Sequence, residues 1–440
     1  MNGIDQRTSD FITLTKADIM LEHGFLESVS RDVGGAFYIF DEAVFRHNYL
    51  AFRDRLRSYW PGTDVAYAMK ANYMPAILSA MACMQGQVEA VSRFEYEVAS
   101  LFLPGERIIF NGPLKRESDM RLALDAGSII HLDSFKEIDF LRTLSCDYLR
   151  LPVGLRLCFP SSQLSSRFGF EVETEELERA LEQLGTIEGV ELVSLHCHAT
   201  CRSLGVEDHV NRVRQLCELS RSLLPHHPID TINIGGGLLG EMPAFLKSQF
   251  PFPVASLDEY ADAIGAAFLR YRPSPITRLV VEPGVSMVGN TMCLVARVME
   301  VRQRRRGWQA LLDTSINSVN PTGSSIQPLV HAVLGRPERE LHRRLFQLVG
   351  HTCMEHDVIG ESLIADLEEG DFIVVENRGA YSLNYTPPFI VPAPAVVDRK
   401  GKVLKWADDT EHVLASYCTS HPDSYLERHH EHSLHLCGKA

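Results

Sequence analysis

The chain has 440 residues, of which 45% are apolar and 23% are charged, a balance typical of a globular protein rather than a disordered or fibrous one. Asp and Glu outnumber Lys and Arg by 57 to 43, which gives a net charge of −14 and argues against a general nucleic-acid or anionic-membrane surface. Ten cysteines without a CxxC pair are too few for a disulfide scaffold. No secretory pattern opens the chain and no run reaches the about 20 apolar residues of a membrane helix, so we expect a cytoplasmic protein.

Short apolar runs with strand character recur through the first two thirds of the chain, separated by stretches with apolar residues at helical spacing. The predicted strands are 65–68, 88–91, 107–110, 129–132, 153–157, 192–196, 231–234 and 279–282. The predicted helices include 76–85, 94–101, 175–184 and 209–223. This alternation indicates parallel βα units, and eight such units close a TIM-type (β/α)8 barrel.

Beyond residue 290 the strand-like runs continue without regular helices, and Pro and Gly punctuate them. The predicted strands there are 292–302, 309–313, 326–334, 372–376 and 389–398. They predict a mostly antiparallel β domain, and the strand-like run 36–40 is expected to join it by crossing over. We therefore predict a barrel over 41–290, a β domain from 1–40 and 291–425, and a flexible His-rich tail at 426–440.

The active site of such a barrel lies at the carboxyl ends of the strands, and residues capable of chemistry occur at the predicted strand ends. They are Lys70, Asn72, Asn111, Asp133, His196, His198, Gly235, Gly236, Gly237 and Glu282. The three glycines can bring successive N–H groups to a phosphate, although a sharp strand-to-helix turn also uses glycine. Lys70 is either a rim lysine in a salt bridge or a desolvated lysine, with a lowered pKa, that forms a Schiff base. Combined, a phosphate cradle and such a lysine indicate pyridoxal 5′-phosphate (PLP).

The remaining strand-end residues each allow two interpretations. Glu282 can face the pyridine nitrogen of PLP and keep it protonated, or it can be an ordinary acid that caps a loop. His198 can stack on a planar cofactor, or it can be a core histidine whose ring nitrogens are hydrogen-bonded within the protein. His196 and His198 share a strand face and could bind a metal, but two ligands do not complete a zinc site.

Seven motifs follow one another along the chain: YAMKAN (67–72), SRFGF (166–170), HCHAT (196–200), INIGGG (232–237), EPG (282–284), HTCMEHD (351–357) and GAY (379–381). Together they resemble the fold-type III PLP-dependent decarboxylases, the group that includes diaminopimelate and ornithine decarboxylases. The resemblance covers roughly residues 36–395. It implies an amino-acid decarboxylase with a PLP-binding barrel and a β domain, usually a head-to-tail homodimer whose active sites draw residues from both chains.

The resemblance also implies roles for individual residues. On the cofactor side, Lys70 forms the Schiff base, His198 stacks on the ring, Glu282 pairs with the ring nitrogen, and Gly235, Gly236, Gly237 and Tyr381 bind the phosphate. On the substrate side lie Arg167, Cys353 and Asp357. The partner subunit inserts the C-x-x-x-D element that contains Cys353, and its thiol or Lys70 returns a proton to Cα.

Departures from the family pattern bear on the substrate. Val285 stands where the related enzymes carry the arginine of EPGR, which serves a phosphate or a substrate carboxylate. Met354 replaces the acid that meets the distal end of the substrate, with Glu355 one place later. Thr200–Cys201 replaces a Gly-Ser pair, so the sequence does not identify the residue that takes the place of one phosphate ligand of the family. A site without this fixed cation and anion suits a bulkier, conjugated or less polar amino acid.

Three alternatives stay open at this point. An amino-acid racemase on the same fold would abstract the Cα proton instead of releasing CO2, although racemases of that kind generally lack the GGG and C-x-x-x-D elements. A catalytically silent, PLP-binding regulatory relative is disfavoured by the presence of Lys70, Glu282 and Cys353. A metal-dependent hydrolase would use His196 and His198.

Overall fold

The structure is a computed structural model that describes residues 21–159, 166–198, 205–305, 307–415 and 417. Its strands are β1 (Phe37–Phe40), β2 (Thr63–Ala68), β3 (Gln87–Ala90), β4 (Ile108–Phe110), β5 (Ile129–Leu132), β6 (Leu151–Cys158), β7 (Phe170–Glu171), β8 (Val190–His196), β9 (Thr231–Asn233), β10 (Arg278–Val281), β11 (Met292–Arg304), β12 (Gly307–Leu312), β13 (Val330–Val333), β14 (Arg344–Val349), β15 (Val358–Ala365), β16 (Phe372–Val375), β17 (Ala395–Asp398) and β18 (Val403–Lys405). Its α-helices are α1 (His23–Val33), α2 (Glu42–Tyr59), α3 (Pro75–Cys83), α4 (Arg93–Ser100), α5 (Glu117–Asp125), α6 (Phe135–Leu144), α7 (Glu175–Gly185), α8 (Val206–Leu223), α9 (Ala244–Lys247), α10 (Leu257–Tyr271), α11 (Val285–Val288), α12 (Ile316–Val319) and α13 (Thr410–Leu414).

Eight parallel strands form a closed barrel in the order β2, β3, β4, β5, β6, β8, β9 and β10. The ring closes because β10 pairs with β2 and β5 pairs with β6, both in parallel. The short β7 pairs with the end of β6 outside this ring. All eight predicted strands are confirmed, and with them the predicted fold class.

Helices cover the barrel and bury its apolar outer surface. The connection from β1 to β2 begins at Asp41, whose side chain accepts hydrogen bonds from the N–H groups of Ala43 and Val44 and so caps α2. Phe45 and Phe52 of this helix are fully buried. Burial of each such ring stabilises the fold by about 1.5–3 kcal/mol, so the amphipathic helices fix the barrel wall on which the site residues stand.

The second sheet is built around the long strand β11. This strand pairs with β1, β12 and β16, in each case antiparallel. The sheet is mostly antiparallel, as predicted, with parallel pairs only at β1–β17 and β12–β14 among the described strands. The crossing of β1 into this sheet is also confirmed, because β1 lies between β11 and β17.

The sequence prediction differs from the structure in the second half of the chain. Three strands, β14, β15 and β18, were not expected. The predicted strand 389–398 begins only at Ala395, preceded by a single bridge between Phe389 and Val391. The predicted boundaries at residues 41 and 290 stay a prediction, which the membership of the two sheets supports.

Within the described part of the chain, no helix combines the length and apolar character required to span a bilayer. The His-rich tail at 426–440 lies outside the described residues. Thr200 and Cys201, singled out above as a departure from the family pattern, lie outside them as well.

Candidate active site

Lys70 lies directly after β2, in a single 3-10 turn formed by Met69–Ala71. Its Nζ is 2.5 Å from Oε2 of Glu89, which is only 2% exposed at the end of the neighbouring strand β3. The segment that follows β16 of the second sheet contacts the backbone of this turn, because Tyr381 donates its N–H to the Ala71 carbonyl at 2.9 Å. The structure therefore places Tyr381 beside the turn that carries Lys70.

The pKa of Lys70 changes in the direction opposite to the one expected. Burial lowers the pKa of Lys70, but the negative charges of Glu89 and Glu282, with Tyr381, outweigh burial and raise it above its usual value. The expectation of a lowered pKa is wrong here because it considered desolvation without the carboxylate of Glu89. Sequence reasoning missed Glu89, although a glutamate within the apolar run 88–91 is a visible signal.

Glu282 lies at the end of β10 and is 1% exposed. One carboxylate oxygen, Oε1, accepts hydrogen bonds from the amides of Asn111 at 2.9 Å and Asn233 at 2.6 Å. The other, Oε2, has no hydrogen-bond partner among the described residues and lies 3.3 Å from Nε2 of His196. A buried carboxylate oxygen without a donor fits a cationic N–H group from a ligand, such as a protonated pyridine nitrogen.

A chain of buried polar side chains supports Glu282 from inside the barrel. Asn111 donates both amide hydrogens to carboxylates, to Glu282 and at 3.2 Å to Glu89. Its Oδ1 therefore faces Nδ1 of His131 at 2.7 Å, and the other ring nitrogen of His131 lies 2.8 Å from the Ser194 hydroxyl.

The protonation of His131 follows from this geometry. Burial, and next the nearby His196, lowers the pKa of His131 well below its usual value, so the ring is neutral with one donor and one acceptor. Because Oδ1 of Asn111 only accepts, Nδ1 carries the hydrogen and Nε2 accepts from Ser194. Gly154 leaves the space for the ring, since a Cβ there would clash with it. Sequence reasoning missed His131, whose only signal is its place inside the apolar strand β5.

The three glycines form a tight turn after β9. Gly235 and Gly237 have φ values of +62° and +92°, which favour glycine. A Cβ on Gly235 would lie 2.8 Å from the Cys197 carbonyl oxygen. The N–H groups of Gly235 and Gly236 donate to Asn233 Oδ1 and His198 Nδ1, which leaves Gly237 as the one glycine of the three whose N–H has no acceptor among the described residues. The turn thus offers a ligand fewer free N–H groups than predicted.

His198 is half-buried beside this turn. Because its Nδ1 accepts from Gly236 at 3.0 Å, the ring hydrogen is on Nε2. Removal from water, followed by the charge of Lys70, lowers the pKa of His198 well below its usual value, so the ring is neutral. No group of three or more His, Cys, Asp or Glu side chains suited to a metal ion occurs among the described residues, and His196 and His198 have no third ligand there.

Among the described residues, no hydrogen bond or ion pair joins the predicted substrate-side residues to this cluster. Cys353 is exposed on the loop between β14 and β15. Asp357 is 3% exposed, and its oxygens accept hydrogen bonds from the N–H groups of Ile316 and Thr352 and from the Thr352 hydroxyl. This geometry favours a bracing role for Asp357 over the predicted substrate contact. Arg167 is exposed and stacks on Phe168, with 4.1 Å between its guanidinium and the ring centroid.

These features define a barrel with a lysine, a buried carboxylate and a glycine turn at the carboxyl ends of its strands. The model of the family "Pyridoxal-dependent decarboxylase, pyridoxal binding domain" matches residues 45–289. The chain belongs to this family of PLP-dependent carboxy-lyases.

Individual relatives agree with this assignment. A diaminopimelate decarboxylase of Aquifex aeolicus is 22% identical and aligns over 84% of this chain and 88% of its own. A Staphylococcus aureus protein, 2-[(L-alanin-3-ylcarbamoyl)methyl]-2-hydroxybutanedioate decarboxylase, is 25% identical over 78% of this chain and 88% of its own. The crystal structure of diaminopimelate decarboxylase from M. jannaschii superposes with a TM-score of 0.80 at 21% identity and covers 89% of this chain and 94% of its own, which shows the shared fold.

Proposed function

We propose that the protein decarboxylates an amino acid, or an amino-acid conjugate, at Cα through PLP bound covalently to Lys70. The observation that carries this proposal is the placement of Lys70, Glu89 and Glu282 in one buried cluster at the carboxyl ends of adjoining barrel strands. PLP, when bound, accepts the electron pair that remains on Cα as the carboxylate leaves as CO2.

The residues of the chain have separable parts in this reaction. Glu89 holds the Lys70 ammonium and takes up its proton when the amine acts as a nucleophile. The free oxygen of Glu282 receives the ring N–H, and the amides of Asn111 and Asn233 stabilise its negative charge. His198, neutral and fixed by Gly236, presents a flat ring without adding charge. Gly237 and Tyr381 are the proposed phosphate contacts.

We further propose a homodimer in which Cys353 of one chain completes the site of the other and returns the proton to Cα. The exposure of Cys353 on the loop between β14 and β15 supports this arrangement. Exposed apolar side chains just beyond Tyr381 also support it, because a contiguous apolar patch marks an interface. They are Tyr385, Phe389, Ile390 and Val391, exposed by 43–54%. The free buried cysteines Cys158 and Cys197 support a reducing compartment such as the cytosol.

The proposed substrate has a bulky or conjugated distal group instead of a free amino or carboxylate end. Val285 and Met354 remove the cation and the anion that related decarboxylases use to hold charged ends. The Staphylococcus relative supports this choice, because its name describes an alanine unit attached through a carbamoyl group to a hydroxybutanedioate.

The covalent step is tested by borohydride reduction of the PLP-loaded protein, digestion and mass spectrometry. We expect the reduced cofactor on Lys70, none on Lys70→Ala, and an unchanged adduct on Lys136→Ala, which alters an exposed lysine of α6 as the control. An adduct on another lysine, or none after incubation with excess PLP, contradicts the proposal. Release of CO2 measured beside inversion at Cα on the same amino acids separates decarboxylation from racemisation.

The substrate class is tested by comparing kcat/KM for free diamino acids with that for the same compounds acylated on the distal amine. We expect a preference for the acylated compounds, and we expect Met354→Glu to reduce it by restoring an acid next to Cys353. A preference for the free diamino acids would contradict the substrate class while leaving the decarboxylase assignment intact.

A further inference from the structure

Arg212 of α8 places a buried positive charge behind the glycine turn. The residue is 5% exposed. Its Nη1 donates to the carbonyl oxygens of Ile234 at 2.7 Å and Gly236 at 2.9 Å. Its Nε and Nη2 are buried and have no hydrogen-bond partner among the residues that the structure describes. The guanidinium therefore binds the turn through Nη1, while its other two nitrogens keep N–H donors that no described residue accepts.

No carboxylate forms an ion pair with this guanidinium among the described residues. Burial lowers its pKa, and the negative charge of Asp208 acts on it and opposes this lowering. The nearest acid along the helix, Asp208, accepts the N–H of Gly205 at 2.9 Å and forms no ion pair with Arg212. His209, one turn earlier, is neutral because burial lowers its pKa to about 3. The segments 160–165 and 199–204, which are not described, contain no Asp or Glu.

An arginine cannot lose its charge at neutral pH, and a buried charge without a partner is strongly destabilising. An anionic group of a bound ligand would stabilise the buried guanidinium of Arg212. Arg212 holds the turn whose Gly237 N–H lacks an acceptor among the described residues. A free backbone donor and a cation without a carboxylate partner therefore meet at this turn. An anion with several acceptor oxygens satisfies both.

The sequence adds an independent reason. The EPG motif is followed by Val285, where related decarboxylases carry an arginine that serves a phosphate or a substrate carboxylate. The chain therefore has Val285 where related decarboxylases carry a cation, and it carries Arg212, a cation without an ion-pair partner among the described residues, behind the glycine turn.

We propose that Arg212 is the counter-charge for the phosphate of bound PLP and takes over this function from the arginine missing at position 285. The guanidinium holds the carbonyls of Ile234 and Gly236, and its charge stabilises the phosphate dianion at the glycine turn. This inference rests on the proposed function, in which the turn binds the phosphate.

The test compares two ligands that differ only in the phosphate, pyridoxamine 5′-phosphate and pyridoxamine, on protein freed of PLP. We expect Arg212→Met to raise the dissociation constant of pyridoxamine 5′-phosphate by about ten-fold or more, as expected for loss of a desolvated charge contact, and to leave that of pyridoxamine within about two-fold. Arg214→Met is the matched control, because Arg214 is exposed two residues later and pairs with Glu218 at 3.1 Å. It should change neither constant.

The outcomes separate three cases. Equal weakening of both ligands, or no change in either, overturns the role of Arg212. Wild-type protein that binds neither ligand contradicts the proposed phosphate site, and the role of Arg212 with it. Should Arg212→Met fail to fold, two further measurements decide. We expect inorganic phosphate to compete with pyridoxamine 5′-phosphate for the wild type, and Arg212→Lys to keep most of the phosphate-dependent affinity; failure of either contradicts the proposal.

Discussion

A single buried amide contacts both carboxylates of the site. The two hydrogens of the Asn111 amide are shared between Glu89 and Glu282, and its oxygen is held by His131. Two carboxylates this close repel each other unless donors stabilise them. Asn111 supplies those donors in one fixed orientation, and His131 determines the orientation because only its Nδ1–H can satisfy the amide oxygen.

We expect His131→Leu to slow turnover by about ten- to hundred-fold, since an unpaired buried acceptor costs about 1–3 kcal/mol. His131 is a positioning residue, so the visible spectrum of the bound cofactor should also change its pH dependence as Glu282 loses its fixed partner. Ser194→Ala is the milder comparison, because it removes only the hydrogen bond to Nε2. A His131→Leu enzyme with the wild-type rate and the wild-type spectral titration contradicts this account.

In the proposed reaction, Glu89 controls how readily Lys70 becomes a nucleophile. Its carboxylate raises the pKa of Lys70, so replacing it by an amide lowers that pKa and increases the fraction of neutral amine at a given pH. We therefore expect Glu89→Gln to move the pH profile of covalent PLP capture by the apoprotein toward lower pH. The control is Glu97→Gln, an exposed glutamate that pairs with Arg93 at 2.7 Å. A profile that stays in place, or moves toward higher pH, excludes this role for Glu89.

At the scale of elements, the barrel strands were predictable because parallel strands covered by helices read as continuous apolar runs. β15 was not, because its residues Gly360, Glu361 and Ser362 break both the apolar run and the strand alternation. The segment before β14 carries charged and apolar residues at a spacing that also fits a helix. Pairing between β14 and β15 creates these strands, and pairing partners cannot be read from local sequence.

The same limit explains which site residues could be predicted. Lys70, His198, Gly235 and Glu282 occupy strand ends, where the barrel topology itself indicates chemistry. Glu89 and His131 lie within strands whose two faces are both buried, so the sequence does not tell which face points into the barrel. Arg212 lies on α8, and the sequence does not tell which face of this helix meets the glycine turn.

The loop between β14 and β15 depends on one carboxylate. Asp357 accepts hydrogen bonds from Ile316 and Thr352 and so fixes the segment that carries Cys353. We expect Asp357→Ala to lower turnover by about ten-fold or more, because unpaired backbone donors cost about 1–3 kcal/mol each, while the affinity for PLP stays unchanged. Glu355→Gln, in the same loop but exposed, should be nearly silent toward a substrate that carries no distal cation. Loss of PLP affinity in Asp357→Ala would place Asp357 in the cofactor site instead.

At the scale of the whole molecule, the proposed reaction draws on more than one chain. The single chain brings the cofactor residues together in the barrel but leaves Cys353 exposed on the second sheet. In the homodimer proposed above, a second chain presents this loop to the barrel, and the symmetry of a closed dimer then gives two equivalent shared sites.

This arrangement makes a quantitative prediction for mixed subunits. Lys70→Ala and Cys353→Ala are each expected to be nearly inactive. When equal amounts exchange subunits, half of the dimers are hybrids, and each hybrid contains one site with an intact Lys70 and an intact Cys353 from the other chain. We therefore expect recovery of up to about a quarter of wild-type activity, measured as CO2 release after subunit exchange is verified by mass spectrometry. Because a site built within one chain would stay defective in every combination, absence of recovery despite exchange would show that Cys353 does not act across the interface.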